Sequence, residues 1–164
     1  MEAGKGEDWL IKFQTELRKG LPNHIITHAP QAPYFKQDFY KNGAYVTVHK
    51  AVGNTIDFYN VQFYNQGDTK YNTYETLFVQ SGSVFSGTAV YEIIKRGIPS
   101  KKVVIGKPVT GADAANTGLV NHDDLGKWIG QAYQQNKWYA GVMYWQYSSD
   151  ISGGAIKSSA GFLK

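Results

Sequence analysis

The stretch Asp57-Phe58-Tyr59-Asn60-Val61-Gln62-Phe63-Tyr64-Asn65 decides the fold class. An apolar strand running through Phe58, Val61 and Phe63 delivers Gln62, Tyr64 and Asn65 at its C-terminal end. Two other segments end in the same way: Ile25-Ile26-Thr27-His28-Ala29-Pro30-Gln31 and Val142-Met143-Tyr144-Trp145-Gln146-Tyr147. In a parallel α/β barrel the C-terminal strand ends are where sites are assembled, from the tips of several strands. Strand tips carrying Gln, Tyr, Asn and Trp suggest a sugar site, and no strand presents paired carboxylates.

Outward from that strand, helical and extended segments alternate. Asp8 is placed to cap a helix with an apolar face of Trp9, Leu10, Phe13 and Leu17, stopped by Gly20 and Pro22. Ile25–His28 reads as a first strand and Ala44–Val52 as a helix leading into the second strand, Asp57–Tyr64. Thr73–Val79 and Gly87–Lys95 read as helical, Lys102–Gly106 as the third strand, and Thr110–Gly118 as a small-residue loop. A helix near His122–Gln135, a fourth strand over Gly141–Tyr147 and a small-residue helix over Ile151–Leu163 complete the pattern. Strands separated by helices predict a parallel sheet with right-handed crossovers. The bland alternative is an open doubly wound sheet. Gly82, Gly87 and Gly111 lack the strand–loop–helix setting of a phosphate loop, which argues against nucleotide binding.

A chain of 164 residues fits one domain with a sizeable core. Its 12 Tyr, 8 Phe and 4 Trp are the compositional outlier, and most are assigned to packing. The formal charge of +4 is scattered, with short pairs at Arg18-Lys19, Lys95-Arg96 and Lys101-Lys102. It reads as a solvated surface, not as the single basic face of a nucleic-acid binder. With no cysteine, thiolate metal sites and disulfides are excluded. His24, His28, His49 and His122 show no ligand spacing, so neither metal nor cofactor is expected. Met1–Gly6 does not read as a signal peptide, and no apolar run is long enough to span a membrane. The expectation is a soluble chain, with no compartment assigned.

The chain resembles the C-terminal half of a glycoside hydrolase family 18 barrel, and most of all the class III, hevamine-type chitinases. The motifs that carry the resemblance are Ala29-Pro30-Gln31-Ala32-Pro33, Val61-Gln62-Phe63-Tyr64-Asn65 and Gly141-Val142-Met143-Tyr144-Trp145. Their order implies a partial (β/α)8 barrel over residues 1–164, with four parallel strands corresponding to family strands five to eight. The resemblance also implies chitin or chito-oligosaccharide as ligand, and substrate-assisted hydrolysis in which the sugar acetamido oxygen attacks its own anomeric carbon. The family's acid lies in an Asp-x-x-Asp-x-Asp-x-Glu pattern after strand four. This sequence contains no such pattern, which is expected to lie upstream. Little or no hydrolysis by the chain alone follows from that. Family members are often secreted.

By the same resemblance, Tyr64 matches the residue that orients the acetamido group, and Gln62 and Asn65 match its polar partners. Trp145 matches the sugar platform and Gln31 a polar residue on the strand-five loop. His28 is added for its position at a strand tip. Against these stand plainer readings: a buried strand Tyr, a turn-forming Asn and a core Trp. Tyr34 and Tyr147 are assigned to packing. Asp57 begins its strand at the wrong end for a barrel site, and Asp123-Asp124 suits a helix N-terminus. That leaves Asp150 as the carboxylate nearest the site. Four strands cannot close a barrel, so a homodimer, a complementary half-barrel chain or continuation within a longer chain is expected to cover the open side. The competing functions are a non-catalytic, lectin-like or inhibitory sugar binder, and an assembly partner only.

Overall fold

The four strands that the sequence predicts form one parallel sheet in chain order. In the computed structural model, which describes residue 1 and residues 5–161, they are β1 (Thr27–His28), β2 (Phe58–Gln62), β3 (Val103–Pro108) and β4 (Val142–Trp145). Five helices accompany them: α1 (Gly6–Gly20), α2 (Ala44–Val52), α3 (Val90–Lys95), α4 (His122–Gln134) and α5 (Gly154–Ala160). Leu163, the expected end of the last helix, lies outside the described residues. The β1 strand is shorter than the run Ile25–His28 suggests, since Ile25 stands in solvent. Thr73–Val79 narrows to a single π-helical turn, Glu75–Val79.

Register decides which side of the sheet each residue faces. Tyr59 pairs with Val103, Gln62 with Gly106, Gly106 with Met143 and Pro108 with Trp145. Side chains alternate along a strand, so Tyr59, Val61, Phe63, Val103, Ile105, Lys107, Val142 and Tyr144 share one face. That face is covered by helices. Tyr59, Val61, Phe63 and Ile105 are fully buried there, with Val48, Ile93, Leu125 and Ile129 among their cluster. Part of the aromatic excess is absorbed here, through Phe35, Tyr59, Tyr71, Phe78 and Trp138.

The opposite face carries Phe58, Asn60, Gln62, Val104, Gly106, Pro108, Met143 and Trp145. Phe58, Asn60, Gln62 and Met143 are only half-buried, and Trp145 is exposed. All-parallel sheets are ordinarily covered on both faces. This one has a dry face and an open face, as expected for part of a barrel wall. Gly106 sits where the open face is tightest: a Cβ there would come within 2.7 Å of the Val61 carbonyl and 2.8 Å of Met143 Cε.

Helix α1 corrects the sequence reading. Its N-cap is Lys5, without a side-chain cap, and Asp8 lies inside the first turn. The buried residues are Glu7 and Gln14, whereas Trp9 and Phe13 stack on each other in solvent, with ring centroids 5.1 Å apart. Leu10 still packs on the core and Leu17 is half-buried, so the face is rotated, and polar partners explain the rotation. Glu7 accepts the backbone N–H of Ala44 at 3.0 Å, at the start of α2. Gln14 donates to the Thr55 carbonyl at 2.8 Å and contacts His28. No helix among the described residues is long and apolar enough to cross a membrane.

Candidate functional site at the strand ends

Gln62 is the last residue of β2 and belongs to the open face. Its side-chain amide donates to the Ala29 carbonyl at 2.7 Å, which ties the tip of β2 to the loop after β1. Gln31 reaches the same place through a parallel bridge to Gln62. Two positions beyond Gln62, Tyr64 has a buried ring. Its hydroxyl makes no hydrogen bond among the described residues and is not sealed from solvent. Burial pushes the phenol above its ordinary pKa, so it stays protonated and available as a donor.

Trp145 ends β4 on the open face and is 52% exposed. Its carbonyl accepts the Val109 N–H at 2.8 Å, and a cis peptide follows, to Gln146. The exposed indole stands at the rim of the sheet, level with Pro108. Gln31, Gln62, Tyr64 and Trp145 all gather at the C-terminal ends of the strands.

Two of the predicted residues have their side chains engaged elsewhere. Asn65 adopts a left-handed backbone (φ 61), and its Oδ1 accepts the N–H groups of Ala115 at 2.7 Å and Asn116 at 3.2 Å. It fastens the loop between β3 and α4 onto the end of β2. His28 pairs with Tyr59, which places it on the helix-covered face, and its ring is hydrogen-bonded to Tyr45 (3.2 Å) and Gln14 (3.1 Å). Burial lowers its pKa, and the neutral ring bridges α1 and α2.

The remaining aromatics and carboxylates are assigned by their contacts. Tyr34 packs against Tyr40 and Tyr45, as read, but Tyr147 is 92% exposed and packs little. Asp57 pairs with Arg18 at 2.7 Å and accepts the Ile26 N–H. Asp123 and Asp124 lie in the first turn of α4, where the Asn121 side chain caps their N–H groups. Asp150 accepts the N–H groups of Ala155 and Ile156, so its carboxylate is committed to the start of α5.

The loop over Thr110–Gly118 is where the sequence places it, but its support of the candidate site was not legible. Between β3 and α4, residues 109–118 touch both predicted strand ends. Val109 holds Trp145, Asp113 accepts from Ser149 and Gln146, and Gly118 packs on Tyr64. Gly118 has φ 109, and a Cβ would come within 2.4 Å of Tyr64 Cβ, so only glycine fits. Lys107 was missed as well. It is fully buried on the helix-covered face, donating to the carbonyls of Phe63 (2.9 Å) and Tyr71. Desolvation lowers its pKa to about 7.

No family model matches the chain. A chitinase of Enterococcus faecalis is 30% identical over an alignment of 145 residues that covers 79% of this chain and 39% of that protein. Chitinase 1 of Rhizopus niveus is 31% identical over 138 residues, 83% of this chain and 24% of its own length. Among solved structures, a GH18 chitinase from Pseudoalteromonas aurantia matches with 33% identity and a TM-score of 0.77, over 96% of this chain and 54% of that one. The chain therefore spans less than half the length of the two matched relatives and about half of the solved barrel. With its four parallel strands, their order and these likenesses, the chain is a chitinase-like member of glycoside hydrolase family 18 that spans part of the family's barrel.

Proposed function

We propose that the chain forms the substrate-positioning part of a cleft for β-1,4-linked N-acetylglucosamine chains, with β1 to β4 standing as barrel strands five to eight. The observation that carries this reading is the convergence of Gln62, Tyr64 and Trp145 at the C-terminal ends of parallel strands beside an open sheet face. Sugar C–H groups stack on the exposed indole. The neutral Tyr64 hydroxyl donates to the acetamido oxygen as that oxygen attacks the anomeric carbon, steadying it without adding a charge. Gln62, its NH2 group tied to Ala29, offers its carbonyl oxygen as an acceptor.

Cleavage also requires a carboxylic acid that protonates the departing glycosidic oxygen. The acid motif is absent from these 164 residues, and Asp150 is occupied in capping. We therefore assign the proton donor to a complementary half-barrel covering the open face. Without it, the chain binds sugar and does not turn it over. The test is reconstitution. The chain is mixed with strands one to four of the Enterococcus faecalis chitinase, and chitotetraose hydrolysis is followed. Turnover by the mixture, absent from either part alone and lost with Tyr64→Phe, is the expected result. A mixture that associates yet stays inert would contradict the assignment.

A further inference from the structure

We infer that Asp113 is the positioning residue for Trp145. The inference rests on the reading of Trp145 as a sugar platform, and its own test is independent of sugar. A half-exposed indole at a strand end, on which no other aromatic ring stacks among the described residues, must be oriented by its backbone. That backbone is held from the neighbouring strand's loop. The Val109 N–H donates to the Trp145 carbonyl, and the chain then turns through Thr110–Asp113. Asp113 Oδ2 accepts the N–H (2.9 Å) and hydroxyl (2.7 Å) of Thr110, which fixes the carboxylate to the end of β3. Its Oδ1 accepts the Ser149 hydroxyl at 2.7 Å and the Gln146 amide at 3.4 Å.

One carboxylate thus ties the tail of β3 to the residue directly after Trp145 and to another three further on. Hydrogen bonds to an ionised acceptor are about twice as strong as neutral ones. The bonds from Ser149 and Thr110 also hold Asp113 below its ordinary pKa, so the tie is ionised at neutral pH. Further along, the same loop grips Asn65 through Ala115 and Asn116 and abuts Tyr64 at Gly118. Residues 109–118 therefore brace both Tyr64 and Trp145, and Asp113 governs the tryptophan end.

The full chain, labelled with 5-fluorotryptophan, tests this by 19F NMR, with Trp145 assigned through Trp145→Phe. Asp113→Ala and Ser149→Ala should each shift or broaden the Trp145 resonance and leave those of Trp9, Trp128 and Trp138 in place. The double variant should move it no further than Asp113→Ala alone, because Ser149 acts through the carboxylate. An unmoved Trp145 signal in Ser149→Ala and Asp113→Ala overturns the inference. So does movement of all four signals, which would make Asp113 a general stabiliser. If Asp113→Ala does not fold, Ser149→Ala decides alone. In parallel, chitotetraose should bind Ser149→Ala about three- to tenfold more weakly than the parent, the loss expected when one side chain must be ordered on binding. A parent chain that binds no sugar counts against the platform reading, and the fluorine spectra still decide on Asp113.

Discussion

Lys107 donates from its buried ammonium to the carbonyl of Phe63 at 2.9 Å, one residue before Tyr64, and forms no ion pair among the described residues. A cation without a counter-charge in a dry setting costs stability unless it sheds its proton. Desolvation accordingly brings its pKa down to about 7, from the ordinary lysine value of 10.5. Between these two values the unfolded chain binds the extra proton and the folded chain does not, so stability rises with pH. Below about 7 both states are protonated and this contribution is flat. Urea unfolding from pH 7 to 9 should show a rise approaching about 1.4 kcal/mol per pH unit from this group. Lys107→Met should flatten it, and an unchanged slope in that variant would contradict the assignment.

Asn65 carries both a left-handed backbone and two loop amides. Asn65→Ala removes the acceptor and strains the turn, and should destabilise by about 1–3 kcal/mol. Asn65→Asp keeps an acceptor and should retain most of the stability, with Asn65→Gly intermediate because only the strain is relieved. Denaturant midpoints at fixed pH give the ranking. An alanine variant as stable as the parent would show that the loop is held by other contacts.

The rotated face of α1 leads to a result against intuition. Trp9→Ala removes a large apolar side chain from a solvent position and should change stability by about 0.5 kcal/mol or less. Gln14→Ala removes the polar partner of Thr55 and His28 from a fully buried position, and should cost about 1–3 kcal/mol. Thermal melts of the two variants decide it, and the reverse order would mean that the face of α1 is wrongly assigned.

The architecture was legible because hydrophobic runs and their order are local properties. The α2 helix occurs over Ala44–Val52 as read, β2 and β4 fall inside their predicted segments, and β3 runs two residues past its predicted end at Gly106. What was hidden depends on distant partners. Lys107 looks like the end of a strand, yet β3 continues through it because two carbonyls from other segments receive its ammonium. The aromatic pair Trp9 and Phe13 marks an apolar face by every sequence rule. The helix instead turns Glu7 and Gln14 inward to meet the start of α2 and Thr55. At the candidate site, Gln62, Tyr64 and Trp145 stand at the strand ends where their sequence positions put them. Asn65 and His28 occupy equally suggestive positions, but their side chains are drawn to Ala115 and to Gln14 and Tyr45, contacts that no spacing reveals. Asp113 and Gly118 sat inside what read as a featureless loop.

A sugar-positioning cleft without its acid binds chitotetraose and leaves it intact. Calorimetric titration of the purified chain with chitotetraose, followed over time, distinguishes the two events. Saturable heat that decays to baseline is expected, greatly reduced in Trp145→Ala and Tyr64→Phe while both variants keep the parent's unfolding midpoint to within a few degrees. Sustained heat from hydrolysis would show that the chain holds its own proton donor, and the absence of any binding heat would show that these strand ends do not form a sugar site.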